Sequence, residues 1–310
     1  MTDDPRPWPD SIRAGDCEQH EPLVRRVLGP NPSPYTYTGT QTWIVGARGD
    51  VAVIDPGPTG SGMSVGDPTA QLGDANGAGH VEAIVRAVGD ARITAIVCTH
   101  THRDHSPAAA PLKAITGAPI IGCAPLMLSD SGPRADSAFD PTYTPDHVLG
   151  DGEQITGDGW TLTAVTTPGH TSNHICLALE ESRALFTGDH VMAWSTTVVS
   201  PPDGDMAAYM ASLDKLYARD DRIYYPAHGP VITKTRQLVR GMLGHRKQRE
   251  RQILIELGKG PRDVPTMVAA MYKGLDPRLT GAAGRSVLAH LIDLARQDRV
   301  THADPVWSLA

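Results

Sequence analysis

Between positions 23 and 167 short apolar, β-branched runs alternate with Gly and Pro punctuation and a few helical stretches. Residues 51–54 read as a strand that stops at the turn signature Asp55-Pro56-Gly57. Val81, Ile84, Val85 and Val88 recur at helical spacing over 80–88, and 93–99 follow as a buried strand. Ser106-Pro107 predicts a helix start, with Ser as N-cap and Pro at the first helical position, and Thr116-Gly117 predicts its end. Further strands are expected at 119–122, 161–166, 174–179 and 183–186. Residues 58–79 are rich in Gly, Asp, Ser and Thr without apolar periodicity and read as a mobile loop.

After His228-Gly229-Pro230 the texture changes. Leu238, Val239, Met242, Leu243, Ile253, Leu254 and Leu257 fall on one face of a helix over 235–257. Two more helices are expected at 265–271 and 285–296, with a loop at 274–284 between them. A domain boundary near Ile232 follows: 1–232 mix strands and helices, and 233–310 are mostly helical.

Composition narrows the classes. A chain of 310 residues, 40% hydrophobic and 20% charged, has the make-up of a soluble globular protein with a sizeable core. A net charge of -7 gives no general pull toward nucleic acid or acidic membranes. The opening MTDDPRPWPD lacks the features of a signal peptide, and no apolar run reaches the ~18 residues of a membrane span. Cys17, Cys98, Cys123 and Cys176 are scattered without a CxxC pair, which favours buried free thiols. A cytoplasmic protein without membrane contact is expected.

The decisive stretch is Cys98-Thr99-His100-Thr101-His102-Arg103-Asp104-His105-Ser106-Pro107, which packs four donors into six positions at a strand end. In an extended segment His100 and His102 point to the same side, so two imidazoles reach one ion, while Asp104 and His105 follow where the chain turns toward a second. Neutral imidazole and carboxylate suit catalytic zinc, iron or manganese. Three further apolar runs end in a small-residue turn and a donor. They are Thr166-Thr167-Pro168-Gly169-His170, Leu185-Phe186-Thr187-Gly188-Asp189 and Tyr224-Tyr225-Pro226-Ala227-His228-Gly229. Each alone is an ordinary strand-end turn; together they supply the seven donors of a two-metal site.

HxHxDH followed by PGH, GD and a later His-Gly resembles the metallo-β-lactamase superfamily. The resemblance implies an α/β fold, an αββα sandwich with metals in a cleft at one edge of its two sheets. It also implies one ion on His100, His102 and His170, a second on Asp104, His105 and His228, and Asp189 bridging both. Val27-Leu-Gly-Pro-Asn-Pro-Ser-Pro34, Gly39-Thr-Gln-Thr-Trp43, Tyr225-Pro-Ala-His-Gly-Pro-Val-Ile232 and His245-Arg-Lys-Gln-Arg-Glu250 are similar to the β-lactamase-like protein 2 group. That group carries a small winged-helix-like domain at the C-terminus and includes a metal-dependent endoribonuclease.

Two metals ~3.5–4 Å apart share a water and lower its pKa to near neutral. A bridging hydroxide is therefore the expected nucleophile, with Asp104 as the catalytic carboxylate. Zinc is the leading expectation for the two divalent ions, with iron or manganese as alternatives. Asp55 ends a strand where it can fix the tautomer of a ligand imidazole, and His174, four residues after His170, is a second candidate for supporting the ligands. The histidines at 20, 80, 147, 245, 290 and 302 show no ligand spacing and read as ordinary polar residues. Tyr35, Tyr37, residues 194–197, and 129–147 with Phe139 and Tyr143 are candidate substrate contacts.

The substrate is expected to be a small molecule: an ester, thioester, lactone or β-lactam. RNA is the alternative, because a hydroxide nucleophile serves acyl and phosphoryl centres alike. From Lys234 to Arg262 nine Lys or Arg face only Glu250 and Glu256, a local balance of +7 able to meet phosphates. The amphipathic pattern instead predicts a solvated basic face opposite the apolar stripe. The C-terminal helices also offer a surface for an isologous homodimer.

Overall fold

The computed structural model describes residues 12–59, 78–126 and 138–310. Most of the 58–79 loop, and the first part of the 129–147 substrate-contact stretch, lie outside the described residues.

Two sheets form the centre. The first holds β1 (Cys17–Glu21), β2 (Val24–Leu28), β3 (Gln41–Val45), β4 (Asp50–Ile54), β5 (Arg92–Cys98), β6 (Ile120–Gly122) and β7 (His147–Val148) in that order. Its pairs are antiparallel as far as β4 and parallel from β4 to β7. The second sheet takes β8 (Gln154–Gly157), β9 (Trp160–Thr166), β10 (Ile175–Leu179), β11 (Ala184–Gly188) and β12 (Ile223–Pro226) in the order β12-β11-β10-β9-β8. Only β11 and β12 pair parallel there, so β9, β11 and β12 all run the same way and end at one edge.

Residue alternation explains the layering. On β10 every side chain is buried, because Leu177 and Leu179 join one core while Cys176 and Ala178 join another. The first core lies between the sheets and under α1 (Ala78–Val88) and α2 (Ala109–Thr116). The second lies outside the second sheet, where α3 (Met206–Tyr217) contributes Tyr209, Leu213 and Leu216. The first half of α4 (Thr235–Leu257) seals it with Val239, Met242 and Leu243. Helix, sheet, sheet, helix is the αββα sandwich that the motifs implied.

The second half of α4, through Ile253 and Leu257, belongs to a third core with α5 (Val264–Met271), α6 (Thr280–Arg296) and the hairpin β13 (Val300–Ala303) and β14 (Val306–Leu309). Helices followed by a two-stranded wing make the winged-helix arrangement. Asp205 caps α3 by accepting from Ala208 N–H at 2.9 Å and pairs with Arg296 of α6, tying the two units.

Three local expectations differ from what is found. Ser106 is not an N-cap: α2 starts three residues later, and the Ser106 hydroxyl donates to Asp140 Oδ2 at 2.9 Å. α6 starts at Thr280 rather than 285, burying Ala282 and Ala283. Of the cysteines, Cys98, Cys123 and Cys176 are buried free thiols, but Cys17 is exposed. No helix among the described residues is long and apolar enough to cross a membrane.

Candidate metal centre

All the predicted donors arrive from strand ends. His100, His102, Asp104 and His105 follow β5, His170 follows β9, Asp189 follows β11 and His228 follows β12. Glycines permit the crowding at two of these turns. A Cβ on Gly169 (φ +138°) would lie 2.3 Å from Tyr209 Cα, and one on Gly188 (φ +48°) 2.6 Å from His174 Nε2. His228 is set against the first sheet by Gln41, whose amide donates to Gly229 O at 2.6 Å, and by Gly39 O, 3.3 Å from His228 Nδ1.

The donors form two adjoining groups. In one, ligand atoms of His100, His102, His170 and Asp189 lie within 4.8 Å of one another; in the other, those of Asp104, His105 and His228 do. His100 Nε2 and His170 Nε2 stand 3.0 and 3.1 Å from His102 Nδ1. A tetrahedral ion with nitrogens at about 2.05 Å sets its ligands about 3.3 Å apart, close to these separations. Asp104 Oδ2 is 3.1 Å from His228 Nε2 and 3.4 Å from His105 Nε2. Asp189 is shared: Oδ1 lies 3.3 Å from His228 Nε2 and 3.6 Å from His105 Nε2, and Oδ2 lies 3.6 Å from His170 Nε2.

Hydrogen bonds behind the rings set their tautomers. Asp55 accepts Thr99 N–H on Oδ1, and on Oδ2 both the Thr99 hydroxyl and His105 Nδ1–H, at 2.8, 2.8 and 3.0 Å. A hydroxyl has one proton, so Thr99, having donated it to the carboxylate, accepts from His100 Nδ1–H at 3.0 Å. Asp55 thus turns the Nε2 lone pairs of both His105 and His100 into the site, one in each group. His170 Nδ1–H donates to Val198 O at 2.6 Å, with the same result. His174 lies beneath: its Nε2 accepts Asp189 N–H at 3.3 Å and its Nδ1 meets the Thr167 hydroxyl at 2.9 Å. It orients the Asp189 backbone and reaches neither group. His190 points away and packs on Tyr209.

The charge pattern is divided. Burial first, then the neighbouring imidazoles, holds His100 well below the usual imidazole range. Burial would also depress His105, but Asp104, Asp189 and Asp55 outweigh it and raise the ring well above that range. Burial would raise the Asp104 and Asp189 carboxyls, yet His105 and His228 hold both down. The carboxylates of Asp55, Asp104 and Asp189, the first and last of them buried, stand around converging ring nitrogens and make a site that favours a cation. His105 Nε2, His228 Nε2 and Asp189 Oδ1 are buried without any hydrogen-bond partner, although they face one another. Orphaned donor atoms converging in this way fit divalent metal ions.

The metallo-beta-lactamase superfamily model matches residues 35–228. The chain belongs to this superfamily. A beta-lactamase associated winged helix domain matches 264–307. The chain is 32% identical over 274 residues to the lactamase-like protein notP of Aspergillus sp. (strain MF297-2), covering 83% of this chain and 75% of that one. It is 30% identical over 272 residues to an atrochrysone carboxyl ACP thioesterase of Cryptosporiopsis sp. (strain 8999), covering 83% and 74%. With a beta-lactamase-like protein 2 homolog of Caenorhabditis elegans it shares 32% over 248 residues, covering 79% and 75%. A beta-lactamase domain protein from Burkholderia ambifaria has the same fold, with a TM-score of 0.78 at 21% identity over 98% of this chain and 96% of that one. The chain is accordingly a metallo-beta-lactamase-fold hydrolase.

Some metallo-beta-lactamase-side expectations need revision. Tyr143 is core, its hydroxyl donating to Cys123 O at 3.2 Å, and offers no substrate contact. Tyr35, Tyr37 and residues 194–197 do line a cavity. The helix over 235–257 is not a uniformly solvated basic face, because Arg246 is only 3% exposed. Its position seven residues after Val239 puts it on the apolar stripe, a signal readable from spacing. His80 and His290, read from spacing as ordinary polar residues, are buried. Thr99 is the functional residue that sequence reasoning passed over; its place between a buried strand and His100 was the available sign.

Proposed function

We propose that this chain hydrolyses thioesters of small acyl groups, with two divalent ions held by His100, His102 and His170 on one side and by Asp104, His105 and His228 on the other. Asp189, which turns one carboxylate oxygen toward each histidine set, is the observation that supports a shared, two-ion centre. Such an ion pair supplies a nucleophile at neutral pH and polarises a carbonyl oxygen. Zinc is the proposed metal, with iron and manganese accepted by the same donors.

Asp104 acts on the attacking water. Its side chain is 20% exposed against 11% for Asp189, so it is the more accessible of the two carboxylates. Its Oδ2 faces His105 Nε2 at 3.4 Å and His228 Nε2 at 3.1 Å, which leaves Oδ1 for the water. Oδ1 orients the water and accepts its proton. Asp55, through His105 and Thr99, keeps the Nε2 atoms of His105 and His100 turned toward the site while this happens. A thiolate departs without being protonated first, unlike an amide nitrogen, so the site needs no separate general acid. The thioesterase name of one relative supports the acyl-sulfur choice among the substrates that this chemistry serves.

The test is steady-state hydrolysis of an acyl N-acetylcysteamine thioester, its oxygen ester, a chromogenic β-lactam and end-labelled single-stranded RNA by zinc-loaded enzyme. Asp104→Ala runs beside it to exclude contaminants. Thioester turnover that the variant loses supports the reading. RNA cleavage by wild type with an inert thioester replaces it with the ribonuclease.

A further inference from the structure

A cavity of about 610 Å³ opens between the two units, bounded on one side by residues 32–37 and 192–198 and on the other by α4 and α6. That volume matches a small-molecule site. None of the seven donors lines it. The 192–198 segment separates the two, and its opposite side serves the metal centre through Val198 O on His170 and the Thr197 hydroxyl on Asp189 O.

The cationic lining is unusual in its partners. Arg246 is buried, lies 5.1 Å from the Tyr209 ring centroid and donates to Thr197 O. Among the described residues no carboxylate lies within ion-pair distance of it. Arg249 stacks 4.1 Å from the Tyr272 centroid and donates to Gln252 Oε1 and Met271 O, all neutral groups. The cavity's acid, Asp276, is bound 2.7 Å from Arg278, which lines the same space. Among the described lining residues, three guanidinium groups therefore stand against one carboxylate. Burial first, then the Arg246 and Arg249 charges, depress nearby His245 to about 4 and His290 to about 3, so both rings are neutral, and His245 adds hydrogen-bonding capacity to the lining without charge. A guanidinium carries five N–H donors, and a buried one without a counter-ion is costly unless an anion completes it. Tyr35 and Trp194 supply apolar faces beside it.

We propose that this interdomain cavity is a binding site for the oxyanion, carboxylate or phosphate, of a small amphipathic molecule, held by Arg246 and Arg249 with its apolar part on the aromatic walls. The site is separate from the metal centre and stands whether or not the thioesterase reading does.

Calorimetric titration of zinc-loaded protein with octanoate, octyl phosphate and octanol tests it. The anions are expected to bind at least about tenfold tighter than octanol, the scale of one charge-assisted hydrogen bond. The tighter of the two anions names the headgroup. Arg249→Met and Arg246→Met should each weaken the anions about tenfold, and Ala282→Leu, which fills the wall without entering the third core, should weaken all three ligands. Asp104→Ala should leave these affinities unchanged, which separates this site from the metals. Octanol binding as tightly as the anions overturns the proposal, as does anion affinity untouched by Arg249→Met and Ala282→Leu. Those two variants decide the matter if Arg246→Met does not fold.

Discussion

Asp55→Asn separates the tautomer argument from simple packing. Asp55 has φ +48°, a conformation that Asn tolerates, so the backbone turn is retained. Asn can still accept Thr99 N–H, but its amide then faces the Thr99 hydroxyl and His105 Nδ1 as a donor. His105 must become an acceptor at Nδ1 and move its proton to Nε2. The Thr99 hydroxyl, now accepting a hydrogen bond from the amide, keeps its own proton free for His100 Nδ1, and donating it there inverts that ring as well. The two rings sit in different ligand groups. Loss of a supporting partner costs about 10–100-fold in metal affinity, so each ion should weaken by roughly 1.4–2.7 kcal/mol. Competition against a chromophoric chelator, with metal content measured alongside, reports both ions. Wild-type affinity for both, or weakening of one ion alone, would refute the relay through Thr99.

Further outcomes follow from other parts of the chain. Asp104→Ala should lower kcat/KM for the thioester by about 10²–10³-fold or more, with an unchanged far-ultraviolet circular dichroism spectrum. Chelation should lower Tm, and metal returned at 1,000 times its Kd should restore about 4.1 kcal/mol, read by urea unfolding with and without metal. Gly169→Ala drives a Cβ into the α3 backbone and should cost about 3 kcal/mol in the same assay. The Asp205 carboxyl is partly buried, which would raise it, but Arg296 and the α3 N–H groups hold it below its ordinary value. Its stabilising effect is present at neutral pH and is lost as pH falls below the ordinary carboxylate range and through its depressed value, so Asp205→Asn should destabilise at pH 7 and the difference should shrink progressively in acid.

The strand ends were legible because each apolar run closes with a small-residue turn and a donor, and the fold brings those ends to one edge. What escaped reading depends on partners distant in sequence. Ser106 has the chemistry of a cap, but Asp140 claims its hydroxyl from 34 positions away. Gly281 and Gly284 signal a break, yet neither meets a steric obstacle in α6. Their helix cost of about 1 kcal/mol each is outweighed by burying Ala282, Ala283 and Val287. Arg246 was read together with the basic face of its helix although its own spacing sets it on the apolar stripe, and Thr99 acts only through the hydrogen bond that it donates to Asp55.

The division of α4 between two cores has a mechanical consequence. Its first half is packed into the outer face of the second sheet and its last turns into the winged-helix unit, with no break in 23 residues. At 1.5 Å per residue this is a beam of roughly 35 Å running through both units. Units joined by a beam do not swing as units joined by a loop do. The gap between them is held as a gauge by α4, whose 23 unbroken residues offer no hinge at which to widen it.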